Sequence, residues 1–299
     1  MINVDKKTAL MFFSLLLLGV AFWSMGDFSA FSEVLPLFEF QRIAVVALLF
    51  LMTVMLSFLR IWIILRDFGH QLSFMGVVKA CVAGNIGALF FIPVFGQIAG
   101  RQFYLNKLGV SAIENSAASG YERVVAGAVS ATFAVIGFFY LYDWKVVEGA
   151  GLVNFIIFVI AAVVALALFY RLIILDVEKR AIKVYSSWRN IFLLFRVGLI
   201  VSLGMVLMMM CFALMFSVAL PTAGYLEIVS VAFIVSFLAS LPVSFGGWGL
   251  REVSSMFFVA YLGGAAEAGL AASLFIGLIS MAVVLMCYPI LLVGREGGK

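Results

Sequence analysis

The 299-residue chain is 66% hydrophobic and only 11% charged, with a mean hydropathy of +1.22, whereas a soluble domain carries about 25% charged residues. That composition excludes a soluble enzyme or binding module and points to an integral membrane protein. The formal charge of +4 does not signal nucleic acid, because the basic residues are not gathered on a polar domain, and the scattered Cys81, Cys211 and Cys287 form neither a disulfide framework nor a metal pattern.

A hydrocarbon core of about 30 Å needs about 20 apolar residues to cross. The first such run, 8–26, follows Lys6 and Lys7 as a signal peptide would. It is longer than a signal core, and Phe28 spoils the small-residue approach to a cleavage site at Ala30, so it reads as a retained span. The second span, 42–65, leads into a polar loop where His70 sits near Asp67 and Gly69 and reads as a solvated loop residue. Region 75–118 differs. Its apolar arm, 77–92, reaches only about 24 Å at a helical rise of about 1.5 Å per residue, and it runs into the break Pro93-Val94-Phe95-Gly96-Gln97-Ile98-Ala99-Gly100-Arg101. Spans 121–142, 152–172 and 191–219 follow. Region 226–265 repeats the short arm, 226–241, and a second break, Pro242-Val243-Ser244-Phe245-Gly246-Gly247-Trp248-Gly249-Leu250-Arg251-Glu252. A last span covers 267–293.

The expected fold class is an all-α polytopic membrane protein with six full transmembrane helices and two re-entrant helical hairpins; two tilted full crossings per hairpin are the alternative. Positive charge on short loops marks the cytoplasmic side. With the N-terminus inside, fifteen of the 19 basic residues fall on the cytoplasmic side, only Arg42 and Lys145 fall outside, and Arg101 and Arg251 are left for the interior. Both termini are therefore expected in the cytoplasm, in the cytoplasmic (inner) membrane of the cell. The hairpin at 75–118 then enters from the cytoplasm and the one at 226–265 from outside. Residues 1–150 and 151–299 read as two repeats of opposite polarity, each of three spans and a hairpin, and Phe95, Gly96 and Arg101 recur as Phe245, Gly246 and Arg251. Inverted-topology repeats are a recurring transporter device, with broken helices meeting near the membrane midplane.

An arginine near mid-bilayer costs about 3 kcal/mol even on lenient insertion scales, and broken backbone at that depth survives only where buried in protein or lining a cavity. The planar guanidinium fork suits a phosphate, so Arg101 and Arg251 are the expected anion holders. Gly96, Gly246 and Gly247 permit close backbone approach, and Glu252 is expected to orient Arg251 or to bond a sugar hydroxyl or an ammonium group. The structural alternative is that Arg251–Glu252 and Arg101–Glu122 are buried ion pairs locking the hairpins, with glycines serving packing. Glu122 and Arg123 read as the start of the third span, Asn85, Tyr104 and Trp248 as candidate head-group contacts. The basic stretch Lys179, Arg180, Lys183 and Arg189 reads as an anionic-lipid surface. No metal cluster, nucleophile–base arrangement or cofactor motif is visible, and the tail Gly294–Lys299 lacks the Ser/Thr and strand–helix setting of a P-loop.

The second break, Gly247-Trp248-Gly249-Leu250-Arg251-Glu252 after Leu241-Pro242, resembles the proline, double-glycine and Arg-Glu signature of the lysylphosphatidylglycerol synthase transmembrane-region family. Asn85, Pro93, Gly96-Gln97, Arg101, Leu105, Gly109 and Glu122-Arg123 follow that family's first-half pattern, with Gln97 where the family usually has Glu. The resemblance covers about 40–290 and implies a flippase-like domain that moves aminoacylated phosphatidylglycerol or other lipid-linked head groups. Bifunctional members continue into a soluble aminoacyl-transfer domain; this chain ends a few residues past its last span, so a non-enzymatic transporter is expected. Membrane lipids and a lipid-linked anion, such as a polyprenyl-phosphate-linked sugar or an aminoacylated phospholipid, are the expected partners. A small-solute secondary transporter and a non-transporting partner of a glycosyltransferase or lipid-modifying enzyme are the rival readings.

Overall fold

The computed structural model describes residues 35–90, 93–141, 190–241 and 249–292. The expected spans 8–26 and 152–172, the basic stretch 179–189, the C-terminal tail, and Gly246, Gly247 and Trp248 lie outside the described residues. The described chain is helical. After a 3-10 turn at Leu35–Leu37 come α1 (Phe40–Asp67), α2 (Phe74–Phe90), α3 (Pro93–Leu105) and α4 (Ala112–Leu141), then α5 (Ile191–Ala219), α6 (Tyr225–Ser240), α7 (Leu250–Tyr261) and α8 (Ala266–Met286), which Pro289 converts into a 3-10 turn at Tyr288–Leu291. Lengths of 28, 17, 13 and 30 residues are thus followed by 29, 16, 12 and 21, the same order of long, short, short and long.

Four helices are long and apolar enough to cross a membrane, Phe40–Asp67, Ala112–Leu141, Ile191–Ala219 and Ala266–Leu291, with mean hydropathies of 2.1 to 2.6. Their outer faces carry exposed Phe40, Phe192, Phe195, Ile136 and Leu203, while Arg101, Glu122, Arg251 and Glu252 are buried. Apolar surface outside and charge inside is the arrangement a lipid solvent demands.

Helix α1 lies antiparallel against α5 along its length. Arg42 Nη1 donates to Leu214 O and Ser217 Oγ, the Cys211 thiol lies 3.7 Å from Val46 O, and at the other end Asn190 Nδ2 donates to Asp67. Helices α2 and α3 form a hairpin whose arms touch backbone to backbone. A Cβ on Gly87 would stand 2.4 Å from Gly96 O, and one on Gly100 2.3 Å from Ala83 O. The second hairpin, α6 and α7, is held by its neighbours: Gly137 of α4 abuts Ser230 of α6, Phe133 stacks on Phe233 at 4.8 Å, and Gly269 of α8 abuts Ser255 of α7.

One boundary differs from expectation. The first hairpin ends at Leu105, and the helix expected to begin at residue 121 begins at Ala112. Ser111 caps it: Ser111 Oγ accepts from Glu114 N at 3.3 Å, and Glu114 Oε2 accepts from Ser111 N at 2.9 Å, the reciprocal pair of a capping box. His70, read as a solvated loop residue, is half-buried with Nε2 3.0 Å from Glu114 Oε1, tying the α1–α2 loop to this helix start.

Candidate functional site

Two polar clusters form where the hairpins reach the bundle interior. In the first, Glu122 lies more than two turns inside α4 and not at its start, because the capping box moves the helix origin back to Ala112. Its carboxylate bridges two helices. Oε2 accepts from Arg101 Nη1 of α3 at 2.9 Å, and Oε1 accepts from Arg60 Nη2 of α1. Arg101 is fully buried and also reaches Ser119 Oγ at 3.3 Å. Beside it runs a neutral relay, in which Arg123 Nη2 donates to Gln97 Oε1 at 2.9 Å and Gln97 Nε2 donates to Asn85 Oδ1 at 3.2 Å. Asn115 Nδ2 clips α3 to α4 by donating to Ile98 O at 3.0 Å.

The second cluster sits at the start of α7. Gly249, at φ 93°, takes a conformation open to glycine, and its N–H donates to Glu252 Oε2 at 2.6 Å. The other oxygen of Glu252 accepts from Arg251 Nη2 at 2.7 Å, Arg251 Nε at 3.0 Å and Ser273 Oγ at 3.1 Å. Glu252 is wholly enclosed. The ion pairs Arg101–Glu122 and Arg251–Glu252 both exist.

Between the clusters lies a cavity of about 440 Å³, walled by α1, α4, α5 and α8 and reached by both hairpins, through Val94 at the start of α3, Leu241 just after α6 and Arg251 of α7. Its polar lining consists of three guanidinium groups, Arg60, Arg123 and Arg251, and six hydroxyls, Thr53, Ser57, Ser130, Ser236, Ser240 and Ser280. No carboxylate lines it among the described residues; Glu122 and Glu252 stand behind their arginines. The remaining wall is apolar, with Phe50, Leu56, Val201, Met205, Met208, Phe212, Phe237 and Ile276.

Of the residues singled out from the sequence, Arg123 and Arg251 line the cavity. Arg101, Glu122, Glu252, Gln97 and Asn85 form the layer that holds the lining arginines. Gly96 is a packing residue, its carbonyl against Gly87, and Tyr104 packs on the core beside Phe103. Arg60 is the cavity-lining arginine that charge counting misses, since counting places it on the cytoplasmic rim; its signal is an arginine inside the apolar run 42–65. Among the described residues no group of three or more His, Cys, Asp or Glu side chains is placed to hold a metal ion.

The sequence matches the family model of the lysylphosphatidylglycerol synthase TM region over residues 11–287, nearly the whole chain. No curated protein and no solved structure matches it significantly. The chain belongs to the lysylphosphatidylglycerol synthase TM region family.

Proposed function

We propose that this protein translocates an anionic lipid, a polyprenyl-phosphate-linked sugar or an aminoacylated phospholipid, across the cytoplasmic membrane as a flippase, without catalysing a reaction itself. The observation that carries this reading is the cavity at the hairpin tips, with three arginines, six hydroxyls and no carboxylate on its described wall. Each such arginine costs about 3 kcal/mol at mid-bilayer, a cost that an anion entering between them offsets. The apolar remainder of the wall suits the first carbons of a lipid chain.

The architecture supports movement of that site between the two faces of the membrane. Helices α2 and α6, at 17 and 16 residues, are too short for a full crossing, and we read α2–α3 and α6–α7 as re-entrant hairpins of opposite entry. The corresponding long helices α1 and α5 run antiparallel, as inverted repeats 1–150 and 151–299 require. Six full spans follow once 8–26 and 152–172 are counted.

The test is transport by the purified chain in vesicles, read by quenching of a fluorescent phosphatidylglycerol or polyprenyl phosphate from outside. Wild type should expose the inner-leaflet probe, and Arg251→Lys should lower the rate at least about tenfold, because an ammonium cannot reproduce the guanidinium fork. Gly198→Ala, on an open face of α5 with nothing within 4 Å, should leave it unchanged. Wild-type vesicles no faster than empty ones would sink the proposal.

A further inference from the structure

Gln97 sets the charge balance of the cavity. An amide has one accepting and one donating end, and a guanidinium only donates; Oε1 therefore meets Arg123 at 2.9 Å and Nε2 meets Asn85 Oδ1 at 3.2 Å. The bridge fixes Arg123 in place without cancelling its charge. Glu122, next to Arg123 in sequence, has its two oxygens engaged by Arg60 and Arg101. The four arginines of the site, Arg60, Arg101, Arg123 and Arg251, thus face two carboxylates, Glu122 and Glu252. Residues 91–92 and 242–248, which join the two arms of each hairpin in sequence, contain no ionisable side chain. Among the described residues of the site the surplus is two positive charges.

We infer that Gln97 is a specificity-determining residue, whose neutral side chain makes the cavity select a phosphate head group with two negative charges over a singly charged phosphodiester. The inference rests on the anionic-lipid reading above and narrows it to a phosphate monoester or a diphosphate-linked head group. A monoanion leaves one guanidinium without a counter-charge in a poorly hydrated wall, and such a charge is strongly unfavourable. A carboxylate at position 97 would cancel one of the two charges, and because Glu and Gln have the same shape it would do so without altering the cavity.

The experiment uses the full chain in nanodiscs of phosphatidylcholine, with dodecyl phosphate and phosphatidylglycerol as probes and native mass spectrometry as readout. At pH 8 wild type should retain dodecyl phosphate over phosphatidylglycerol by about tenfold, the scale of one extra partly shielded charge contact. Gln97→Glu should abolish that preference, and Arg123→Gln, which removes the charge directly, should do the same. A third arm needs no variant. A phosphate monoester loses its second charge near about pH 6, so the wild-type preference should vanish between pH 8 and pH 5, with phosphatidylglycerol retention over the same range reporting any titration of the protein. A preference unchanged in Gln97→Glu and flat with pH overturns the role of Gln97 while leaving the lipid reading intact. Retention of neither probe by wild type overturns the lipid reading itself. Competition by inorganic phosphate as effective as by dodecyl phosphate keeps the two-charge selection but assigns the ligand to a soluble anion.

Discussion

Glu122 is the residue on which the first half of the site depends, since one carboxylate serves Arg60 on α1 and Arg101 on α3 from its place on α4. Removing the charge while keeping the shape, in Glu122→Gln, leaves two guanidinium groups with no counter-ion in the interior. Breaking a buried pair costs about 3–5 kcal/mol, so the variant should show a large drop in melting temperature in detergent. Glu114→Gln weakens only a half-exposed cap, a loss of about 1 kcal/mol, and should shift the melt far less. Equal shifts would mean that Glu122 is not a keystone. The sequence showed that charged residues sat too deep and that acid–base pairs were available. It did not show which arginine faced the cavity. Arg101 turned out to be the one held behind the wall and Arg60 the one on it, because that choice depends on how α1, α3 and α4 rotate against one another, and no local pattern records it.

At the scale of elements, α2 and α3 behave as one unit because their glycines let two backbones touch. Ala at Gly87 or Gly100 would place a Cβ under 2.5 Å from a carbonyl oxygen of the facing arm. Backbone cannot yield as a side-chain tip can, so the arms must separate, and overpacking of this kind costs about 1–3 kcal/mol. Gly87→Ala and Gly100→Ala should each lower the melting temperature, whereas Gly198→Ala should hold or raise it, since Ala exceeds Gly in a helix interior by about 0.5–1 kcal/mol. A tolerant Gly100→Ala would remove close packing as the reason for the hairpin's shape. Apolar run length located these elements well. The limits of α5 match the expected span 191–219, and the short arms match 77–92 and 226–241 closely. The start of α4 departs from the expected 121 because Ser111 and Glu114, three residues apart, cap the helix upstream of the apolar run, and hydropathy does not register a cap.

The whole molecule is polarised end to end, and that polarity is its most direct link to a topology. The ends of α1 and α3 and the starts of α2, α4 and α5 share one end of the bundle, held by contacts such as His70–Glu114, Asn190–Asp67 and Gly76 against Leu108. Among the described residues that end carries Arg66, Lys79, Lys107 and Arg196 against Asp67 and Glu114. The opposite end, where Gly264 packs on Ala219 and Leu220, carries, among the described residues, Glu39, Glu227 and Glu267 against Arg42. Moving Arg60 and Arg123 from the expected cytoplasmic tally into the interior leaves thirteen basic residues expected inside against two expected outside, so the positive-inside bias still favours the proposed orientation. The three native cysteines are buried, so single new cysteines can be read against a quiet background. With a membrane-impermeant maleimide on intact and inverted vesicles, Lys107→Cys, in the exposed turn after α3, should label only from the cytoplasmic side. Thr222→Cys, in the exposed turn between α5 and α6, should label only from outside. A hairpin returns the chain to the face it entered from, so in a parallel repeat the turns flanking both hairpins would lie on one face; labelling of both positions from a single side would therefore refute the inverted arrangement, and with it the idea that two hairpins of opposite entry present one arginine-lined cavity to each face in turn.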